Sequence, residues 1–515
     1  MRKRHDSAVV AVVAAGILAA ACASAGHSAS RPIGVSESDV APARAEKSPG
    51  KSPSAGADGG TERAGASPSP ENPTTRAGNA EDGRVSLPED WPPGTRSLEV
   101  KEIAHVLGVP TDRARYIGKV VRGTRVAWQR VVAPDREDPE VTRTRRRRRG
   151  EPCLAWVEIR PEGWLCKSLL APSPAEPQGS HQPVLQKGRL WPDDYFKVMA
   201  DETKVYKTVD DVRANVVDKL LSTKVMLVGT GVVHVDDAPY VKTDHGLIDA
   251  AALAKFWPSE FEGLILRDRT PVTWPFAWVF FERGGRKPPV YPQPEGAGKP
   301  VRDAARRQIV PVLEERNGFV RIGDAEWIER KHLRVATLTP RPAPVSPGKQ
   351  WLDVDLDEQV LVAYEGENPV FATLVSTGGP KNPTPVATYR VRAKAATTPM
   401  DGDPKVPNHY EVSAVPWAVR FADGLFVHGV YWHDGFGGAR SHGCVNVSPR
   451  DAAFLYDWVE PKVPDGWSEL EAPGTDGVIV RVRDRNHPDP PLFDYTSEES
   501  KAGRSADPWS PRAAP

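Results

Sequence analysis

A histidine and a cysteine near the C-terminal end of the sequence have the types and surroundings of a catalytic pair. His428 follows the apolar run 425–427, and Cys444 follows a glycine-rich stretch at 435–438. A cysteine attacks a carbonyl carbon as its thiolate, so it needs a base within hydrogen-bond reach and donors for the resulting oxyanion. A strand that ends at His428 holds the ring rigidly, and the glycine-rich loop can fold back on it. We therefore predict Cys444 as nucleophile and His428 as its base.

A helix is predicted to begin just after this pair. Ser448 is a typical N-cap residue, Pro449 suits the first helical position, and apolar residues recur at 454, 455 and 458. The amides around Gly443 and Cys444 can point toward a developing negative charge. Because the N-terminal end of a helix is partly positive, we expect it to lower the pKa of the Cys444 thiol.

A zinc site is the alternative use of two histidines and a cysteine. No fourth ligand stands at a convincing spacing from His428, His442 and Cys444. We predict neither a metal nor a cofactor.

The segment Ser441-His442-Gly443-Cys444-Val445-Asn446 resembles the signature of the L,D-transpeptidase (YkuD-type) catalytic domain, and His428-Gly429 resembles its upstream His-Gly. The resemblance implies that the Gly429 carbonyl orients His428, and that His442 and Gly443 shape the oxyanion and acyl site. The expected substrate-binding residues are Ser441, Asn446, Tyr410, Trp417 and Met400, the last three as lid and substrate wall.

The implied substrate is a peptidoglycan stem peptide. Cys444 would attack the carbonyl of the third stem residue, release the terminal D-amino acid and hold an acyl-enzyme, and a carbapenem would acylate the same thiol. A stem amine as acceptor gives a cross-link, water gives L,D-carboxypeptidase activity, and a protein lysine attaches a lipoprotein to the wall. A peptidoglycan hydrolase with the same dyad and a non-catalytic wall-binding lipoprotein are the competing hypotheses.

The N-terminus has the pattern of an export signal. Basic residues at 2–5 precede an apolar run at 8–21, which is short for a membrane span, and Cys22 ends a stretch that resembles a bacterial lipobox. We expect a lipid-anchored protein of the cell envelope or periplasm. Plain cleavage by a general signal peptidase is the alternative, and the choice between inner and outer membrane stays open.

An oxidising compartment would pair free thiols. Cys153 and Cys166 flank a predicted hairpin that would bring them together, so we predict a disulfide between them. With Cys22 lipidated, Cys444 is left as the unpaired thiol.

The overall charge is balanced, because 68 Lys and Arg residues face 68 Asp and Glu residues. This balance removes any global electrostatic case for a nucleic-acid partner. The run Arg145–Arg149 is the exception; it is typical of a solvated loop, or alternatively of a contact with an anionic envelope polymer.

A low-identity repeat lies upstream of the catalytic pair. Its cores at Trp164, Leu247 and Trp327 are 83 and 80 residues apart, and each follows a strand pattern. The repeats resemble bacterial Src-homology-3-like barrels, which would bind wall polymer, position the catalytic domain or act as spacers.

We therefore predict a mainly β, multi-domain chain whose catalytic domain is a β-sandwich or meander. Its predicted parts are a lipoprotein-type signal peptide at 1–22, a disordered Pro/Ser/Gly linker at 23–93, a first Src-homology-3-like unit at 94–175, a second β unit at 185–262, a third Src-homology-3-like unit at 270–338, a Pro-rich linker at 339–348, an L,D-transpeptidase catalytic domain at 349–483 and a disordered tail at 484–515.

Overall fold

Strands dominate the computed structural model of the protein, which confirms the predicted mainly β class. The structure describes residues 86–133, 153–266, 272–402, 409–472 and 477–495. The predicted signal peptide with Cys22, the linker up to residue 85, Arg145–Arg149 and residues 496–515 lie outside the described residues. Among the helices that the structure describes, none is long and apolar enough to cross a membrane.

We call residues 349–483, the predicted catalytic domain, the catalytic region. Three stretches precede it, and we call residues 94–175, 185–262 and 272–338 the first, second and third upstream segments. The first contains β1 Ser97–Val100, β2 Ala104–Leu107, β3 Tyr116–Val120, β4 Arg125–Val126, β5 Trp128–Val132, β6 Trp156–Ile159, β7 Trp164–Cys166, a 3-10 turn Lys167–Leu169 and β8 Leu170–Ser173. The second contains β9 Asp194–Val198, β10 Thr203–Val205, α1 Val209–Ala214, β11 Lys219–Leu221, β12 Val225–Val235, β13 Ala238–Thr243, β14 Gly246–Asp249, a 3-10 turn Ala250–Ala252 and β15 Leu253–Lys255.

The two-residue strand β16, Leu264–Ile265, follows the second segment. The third segment contains β17 Phe276–Val279, β18 Pro289–Val290, a 3-10 turn Pro294–Gly296, β19 Arg302–Asp303, β20 Ile309–Pro311, β21 Glu314–Arg316, β22 Phe319–Gly323, β23 Glu326–Glu329, a 3-10 turn Arg330–His332 and β24 Leu333–Ala336.

The repeat seen in the sequence has one local structure in all three segments. A hairpin is followed by a 3-10 turn and a further strand, as in β6-β7-β8, β13-β14-β15 and β22-β23-β24. The second strand of each hairpin carries a buried apolar pair: Trp164 with Leu165, Leu247 with Ile248, and Trp327 with Ile328. The repeated sequence pattern therefore records this buried pair and the turn that follows it.

Cys153 and Cys166 form a disulfide beside the hairpin β6-β7, with their Cα atoms 5.7 Å apart. Both cysteines belong to a small cluster with Trp156 and Trp164.

The catalytic region contains β25 Gln350–Asp355, β26 Val360–Glu365, β27 Asn368–Leu374, β28 Ala387–Arg390, β29 Ala393–Thr398, β30 Glu411–Val412, β31 Val415–Ala422, β32 Leu425–Gly429, β33 Val445–Val447, α2 Pro449–Trp458, β34 Trp467–Glu471 and β35 Ile479–Arg483. The predicted meander is confirmed as the antiparallel run β25-β26-β27. The predicted helix is confirmed as α2, where the Asp451 N–H donates to the Ser448 hydroxyl at the N-cap.

Two sheets enclose the catalytic core. One has the order β16-β27-β26-β25-β35-β28, and the other has the order β33-β32-β31-β29-β34-β3-β2-β7-β6-β5. The second sheet runs without a break into the first upstream segment, because β34 pairs with β3 from Gly118 to Val120. The first segment, expected to be a separate unit, thus shares a ten-stranded sheet with the catalytic region.

The predicted linker at 23–93 extends too far at its C-terminal end. Ser86 forms an isolated bridge with Val132, and the Leu87 N–H donates to the Val131 carbonyl at 2.9 Å. Trp91 packs edge-on against Trp128, with ring centroids 6.5 Å apart. Two apolar side chains in a polar stretch were enough to join this end to the first segment.

The predicted tail at 484–515 likewise begins too early. The Tyr495 hydroxyl donates to the Phe421 carbonyl and accepts from the Arg390 N–H, both at 2.8 Å. Phe493 stacks at an angle on Tyr389, 5.2 Å between centroids. Pro488, Pro490 and Pro491 precede two aromatic residues, Phe493 and Tyr495, that pack against the core of residues 349–483.

Candidate active site

Two parallel strands bring His428 and Cys444 together. Strands β32 and β33 are paired in the register Val427 with Val445 and His428 with Asn446. Side chains alternate along a strand, so Cys444, two residues before Asn446, lies on the face that carries His428. The Phe426 N–H, on the same strand as His428, hydrogen-bonds the Cys444 sulfur. The connection through residues 430–443 therefore places both side chains on one face of the strand pair, with Cys444 next to Phe426 and two register positions from His428.

The backbone fixes the tautomer of His428. Its Nδ1 lies 3.0 Å from the Gly429 carbonyl oxygen, which only accepts hydrogen bonds, so Nδ1 carries the proton. This contact is the one expected for Gly429. Burial lowers the pKa of His428 to about 4, and the ring is therefore neutral at pH 7 with Nε2 free to accept a proton.

The environment of Cys444 differs from the expectation of a lowered thiol pKa. Burial raises the pKa to about 11, against the smaller opposing effect of the Phe426 N–H. The helix that was expected to favour the thiolate begins five residues later at Pro449, and its first turn is capped by Ser448. The Sγ atom of the half-buried side chain donates to the Gly424 carbonyl at 3.5 Å. At rest the two groups on this strand face are therefore a neutral thiol and a neutral imidazole.

The turn before Cys444 is held by its own polar groups. The Ser441 hydroxyl donates to the Cys444 carbonyl at 2.6 Å and accepts the Gly443 N–H at 3.1 Å. The Thr384 hydroxyl donates to the Gly443 carbonyl at 2.8 Å, and Gly443 has a φ of +123° that a side chain would strain. The Gly443 N–H, expected to face the oxyanion, is directed at Ser441 instead.

Tyr410 and His442 stand together at the open side of the thiol. Their rings lie 5.0 Å apart between centroids, and His442 is exposed. Burial, and next the neighbouring Cys444, raise the pKa of the Tyr410 hydroxyl. Met400 is half-buried and packs on the same core cluster as Tyr410. The substrate-binding roles of Tyr410 and Met400 and the acyl-site role of His442 stay predictions.

Trp417, the third residue predicted for the substrate wall, lies in the core instead. Its side chain is 4% exposed and stacks on Trp191 of the second upstream segment, with ring centroids 6.2 Å apart. The sequence signal was misleading because an aromatic residue on a strand near a site fits a core and a substrate wall equally well.

His433 was given no role by the sequence, yet it contacts Asn446. The Gly435 N–H donates to Nδ1 of His433 at 3.1 Å, and Nε2 lies 3.0 Å from the amide group of Asn446. Burial lowers the pKa of His433 to about 4, so the ring is neutral at pH 7. The amide atom that faces Nε2 is Nδ2 of Asn446, and the buried amide oxygen has no hydrogen-bond partner among the described residues. His433 thereby fixes the orientation of a buried amide on the face of the catalytic pair.

Trp432 was also missed, and its ring lies 6.0 Å from that of His428. The signal that would have found both residues is their place in the loop between the predicted base and nucleophile. Among the residues that the structure describes, no cluster of three or more His, Cys, Asp or Glu side chains is arranged to hold a metal ion.

Residues 349–480 match the family model of the L,D-transpeptidase catalytic domain, YkuD. L,D-transpeptidase 1 of Mycobacterium tuberculosis is 34% identical over 92 residues, which are 16% of this chain and 36% of that protein. The probable L,D-transpeptidase 3 of the same organism is 39% identical over 93 residues, which are 16% of this chain and 34% of that protein. The chain thus spans about a third of the length of the curated relatives it matches.

Solved structures of L,D-transpeptidases are also similar to part of this chain. An L,D-transpeptidase from Mycobacterium smegmatis is 25% identical, covering 32% of this chain and 76% of that chain, with a TM-score of 0.22. The catalytic domain of the Enterococcus faecium L,D-transpeptidase is 23% identical, covering 27% of this chain and all of that domain, with a TM-score of 0.22.

Proposed function

Since residues 349–480 match the L,D-transpeptidase catalytic domain family, we propose that the chain is a cysteine-dependent acyltransferase acting on peptidoglycan stem peptides. The observation that carries this proposal is the placement of His428 and Cys444 on one face of two paired strands. The Nδ1 proton of His428 is engaged by the Gly429 carbonyl, which leaves Nε2 as the base. In this proposal the donor is the third residue of a tetrapeptide stem.

The first half-reaction begins from the neutral pair. As the Cys444 sulfur bonds to the carbonyl carbon of the third stem residue, its proton passes to Nε2 of His428. The imidazolium is stabilised through its Nδ1–H by the Gly429 carbonyl. It then returns the proton to the leaving amine as the carbon–nitrogen bond breaks. The terminal D-amino acid departs, and a thioester remains on Cys444.

The second half-reaction reverses these roles. His428 removes a proton from the acceptor amine, which attacks the thioester carbon, and the thiol leaves with that proton. Transfer to the amine of another stem makes a cross-link, and transfer to water makes the chain an L,D-carboxypeptidase. In both reactions Tyr410 and His442 would line the acyl group, and Asn446 would present its amide to it.

The proposal includes four further features. The protein works in the cell envelope, anchored through a lipid on Cys22, and Arg145–Arg149 forms a solvated loop or, alternatively, contacts an anionic polymer there. The upstream segments act with the catalytic region rather than as spacers; the continuous pairing of β34 with β3 supports this.

Mass spectrometry of a tetrapeptide muropeptide incubated with the soluble chain tests the reaction. We expect a dimer and free D-alanine with the natural protein and neither with Cys444→Ala. Monomeric tripeptide with D-alanine would identify a carboxypeptidase. An unchanged substrate, together with binding of the protein to isolated cell wall, would instead support the non-catalytic wall-binding hypothesis.

A further inference from the structure

The loop between the catalytic base and the nucleophile is held from outside the catalytic region. Residues 430–440 carry Trp432 and His433 and end at the turn that presents Cys444. Asp434, at the centre of this loop, contacts the third upstream segment, which lies more than a hundred residues earlier in the chain.

Two consecutive arginines bind Asp434 through both its side chain and its backbone. Arg306 Nη1 donates to Asp434 Oδ2 at 2.8 Å, and Arg307 Nη2 donates to Oδ1 at 2.5 Å. Both guanidinium groups also donate to the Asp434 carbonyl, at 2.5 and 2.9 Å. The Ser259 hydroxyl completes the set on Oδ1. Burial opposes ionisation, but these hydrogen bonds hold the pKa of the Asp434 carboxyl below its ordinary value.

The contacts around Arg307 hold both its backbone and its side chain in one conformation. Its φ is +62°, in the left-handed region that a residue with a side chain rarely adopts. Its side chain is 16% exposed, and the guanidinium lies over the rings of Phe261 and Phe436, 4.5 and 5.7 Å from their centroids. Strain and burial of this kind are retained where surrounding contacts fix the conformation.

The third upstream segment also contacts the loop at Gly437. Arg334 Nε donates to the Gly437 carbonyl at 2.6 Å. The Phe280 ring packs so closely on Gly437 that an added Cβ would lie 2.5 Å from it, and Gly437 has a φ of +98°. Both the charge and the shape of the third segment are therefore complementary to this loop.

The loop in turn reaches the catalytic face. His433, next to Asp434, contacts the amide of Asn446, and Asn446 is the register partner of His428. An error in the position of the loop would therefore misplace a ring and an amide beside the thiol. Displacements of about 1 Å at such positions can lower rates by about a hundredfold.

We propose that Arg306 and Arg307 are positioning residues for the acyl-transfer site, which they order by binding Asp434 from the third upstream segment. The inference rests on the proposed function and adds that the catalytic region depends on this segment for its reactive geometry. The acyl transfer itself would still be carried out by His428 and Cys444.

The test compares Arg307→Gln, Asp434→Asn and the double variant in the full soluble chain. Arg321→Gln is the matched control, because Arg321 lies in the same segment and its Nε pairs with Glu314 at 3.2 Å across the hairpin β21-β22. The rate of carbapenem acylation of Cys444 is followed by intact mass. Hydrogen exchange of residues 430–440 and the rate of Cys444 alkylation by iodoacetamide are measured alongside.

We expect each single variant to lower the acylation rate by roughly 10- to 100-fold and to speed exchange in the loop. The double variant should lose less than the sum of the two single losses, because Arg307 and Asp434 share one contact. The control should keep the natural rate and exchange. Natural rates and exchange in the single variants, or additive losses in the double one, would overturn the proposal.

The same measurements distinguish a failure of the proposed function from a failure of the positioning role. If the natural protein is not acylated but the loop variants still change exchange and alkylation, the proposed function fails and the positioning role stands. If the natural protein is acylated and the variants match it, the positioning role fails alone.

Discussion

Tyr195 and Tyr431 stack face to face, with ring centroids 3.9 Å apart and planes inclined by 14°. Tyr195 belongs to β9 of the second upstream segment, and Tyr431 comes three residues after His428. Each hydroxyl also bonds to the chain before β31: Tyr195 to the Ala414 carbonyl at 3.2 Å and Tyr431 to the Ser413 carbonyl at 2.8 Å. The second segment thus contacts the loop between His428 and Cys444 through Tyr195 as well as through Ser259.

Tyr195→Ala is expected to lower the free energy of unfolding by about 3–5 kcal/mol, because it removes a buried ring from the core. It should also slow carbapenem acylation of Cys444, since Tyr431 loses its support. Tyr195→Phe is the matched control, which keeps the ring and loses only one hydrogen bond, worth about 1 kcal/mol. Thermal unfolding and acylation rates measure both effects. A Tyr195→Ala protein with natural stability would contradict the packing described.

The pH dependence of acylation should follow the neutral pair. The pKa of His428 is lowered to about 4, so its Nε2 is available as a base throughout the range above that value and is lost by protonation below it. The rate constant should show no inflection near the ordinary histidine pKa of 6.5. Stopped-flow acylation by a carbapenem across mildly acidic to neutral pH gives the profile. A step centred near 6.5 would show that His428 is less buried or more strongly paired than its contacts indicate.

Alkylation by iodoacetamide reports the thiol directly. With the pKa of Cys444 raised to about 11, only a small thiolate fraction exists at pH 7. We expect slow alkylation that accelerates about tenfold for each pH unit up to that range. His428→Gln, which removes the base, should leave this dependence in place while abolishing acyl transfer. Fast alkylation with a plateau at neutral pH would mean a thiolate and imidazolium pair.

The sequence predicted some features of the fold and of the candidate site and not others. The shared strand face of His428 and Cys444 and the Ser448 cap were predictable, because each depends on residues close in sequence that share one strand–loop–strand unit or one turn. The pair of Arg307 with Asp434 was not, since its partners are far apart in sequence and neither stands in a periodic pattern. Thiol ionisation was predicted from the nearby helix, whereas burial, which depends on the whole fold, decided it.

The buried Lys394 should give the chain an unusual stability profile. Its Nζ donates to the Val459 and Pro461 carbonyls at 2.6 and 3.0 Å, and burial lowers its pKa from 10.5 to about 7. Between those values the unfolded chain binds more protons than the folded one, so stability rises with pH across this interval. Urea unfolding at several pH values should show this rise in the natural protein and not in Lys394→Met. Parallel curves for the two proteins would exclude the linkage.

The segment after β35 should contribute to stability. Tyr495→Phe removes a hydroxyl that bonds to the Phe421 carbonyl and the Arg390 N–H, and we expect a loss of about 1–2 kcal/mol. Truncation after residue 484 should cost more, because Phe493 is lost as well, while truncation after 495 keeps every contact named here. Differential scanning calorimetry of the three proteins checks this order. Equal transition temperatures would show that residues 484–495 do not stabilise the fold.

The continuous pairing of β34 with β3 has a practical consequence for anyone who isolates the catalytic region. Cutting the chain at the proline-rich stretch near residue 340 would strip β34 of the neighbour that covers its backbone. Exposed donors and acceptors along a strand recruit other chains, so a shortened protein is expected to self-associate. Inactivity of such a fragment would then reflect aggregation as readily as lost chemistry, and studies of the proposed activity should use a chain that begins at residue 86 or earlier.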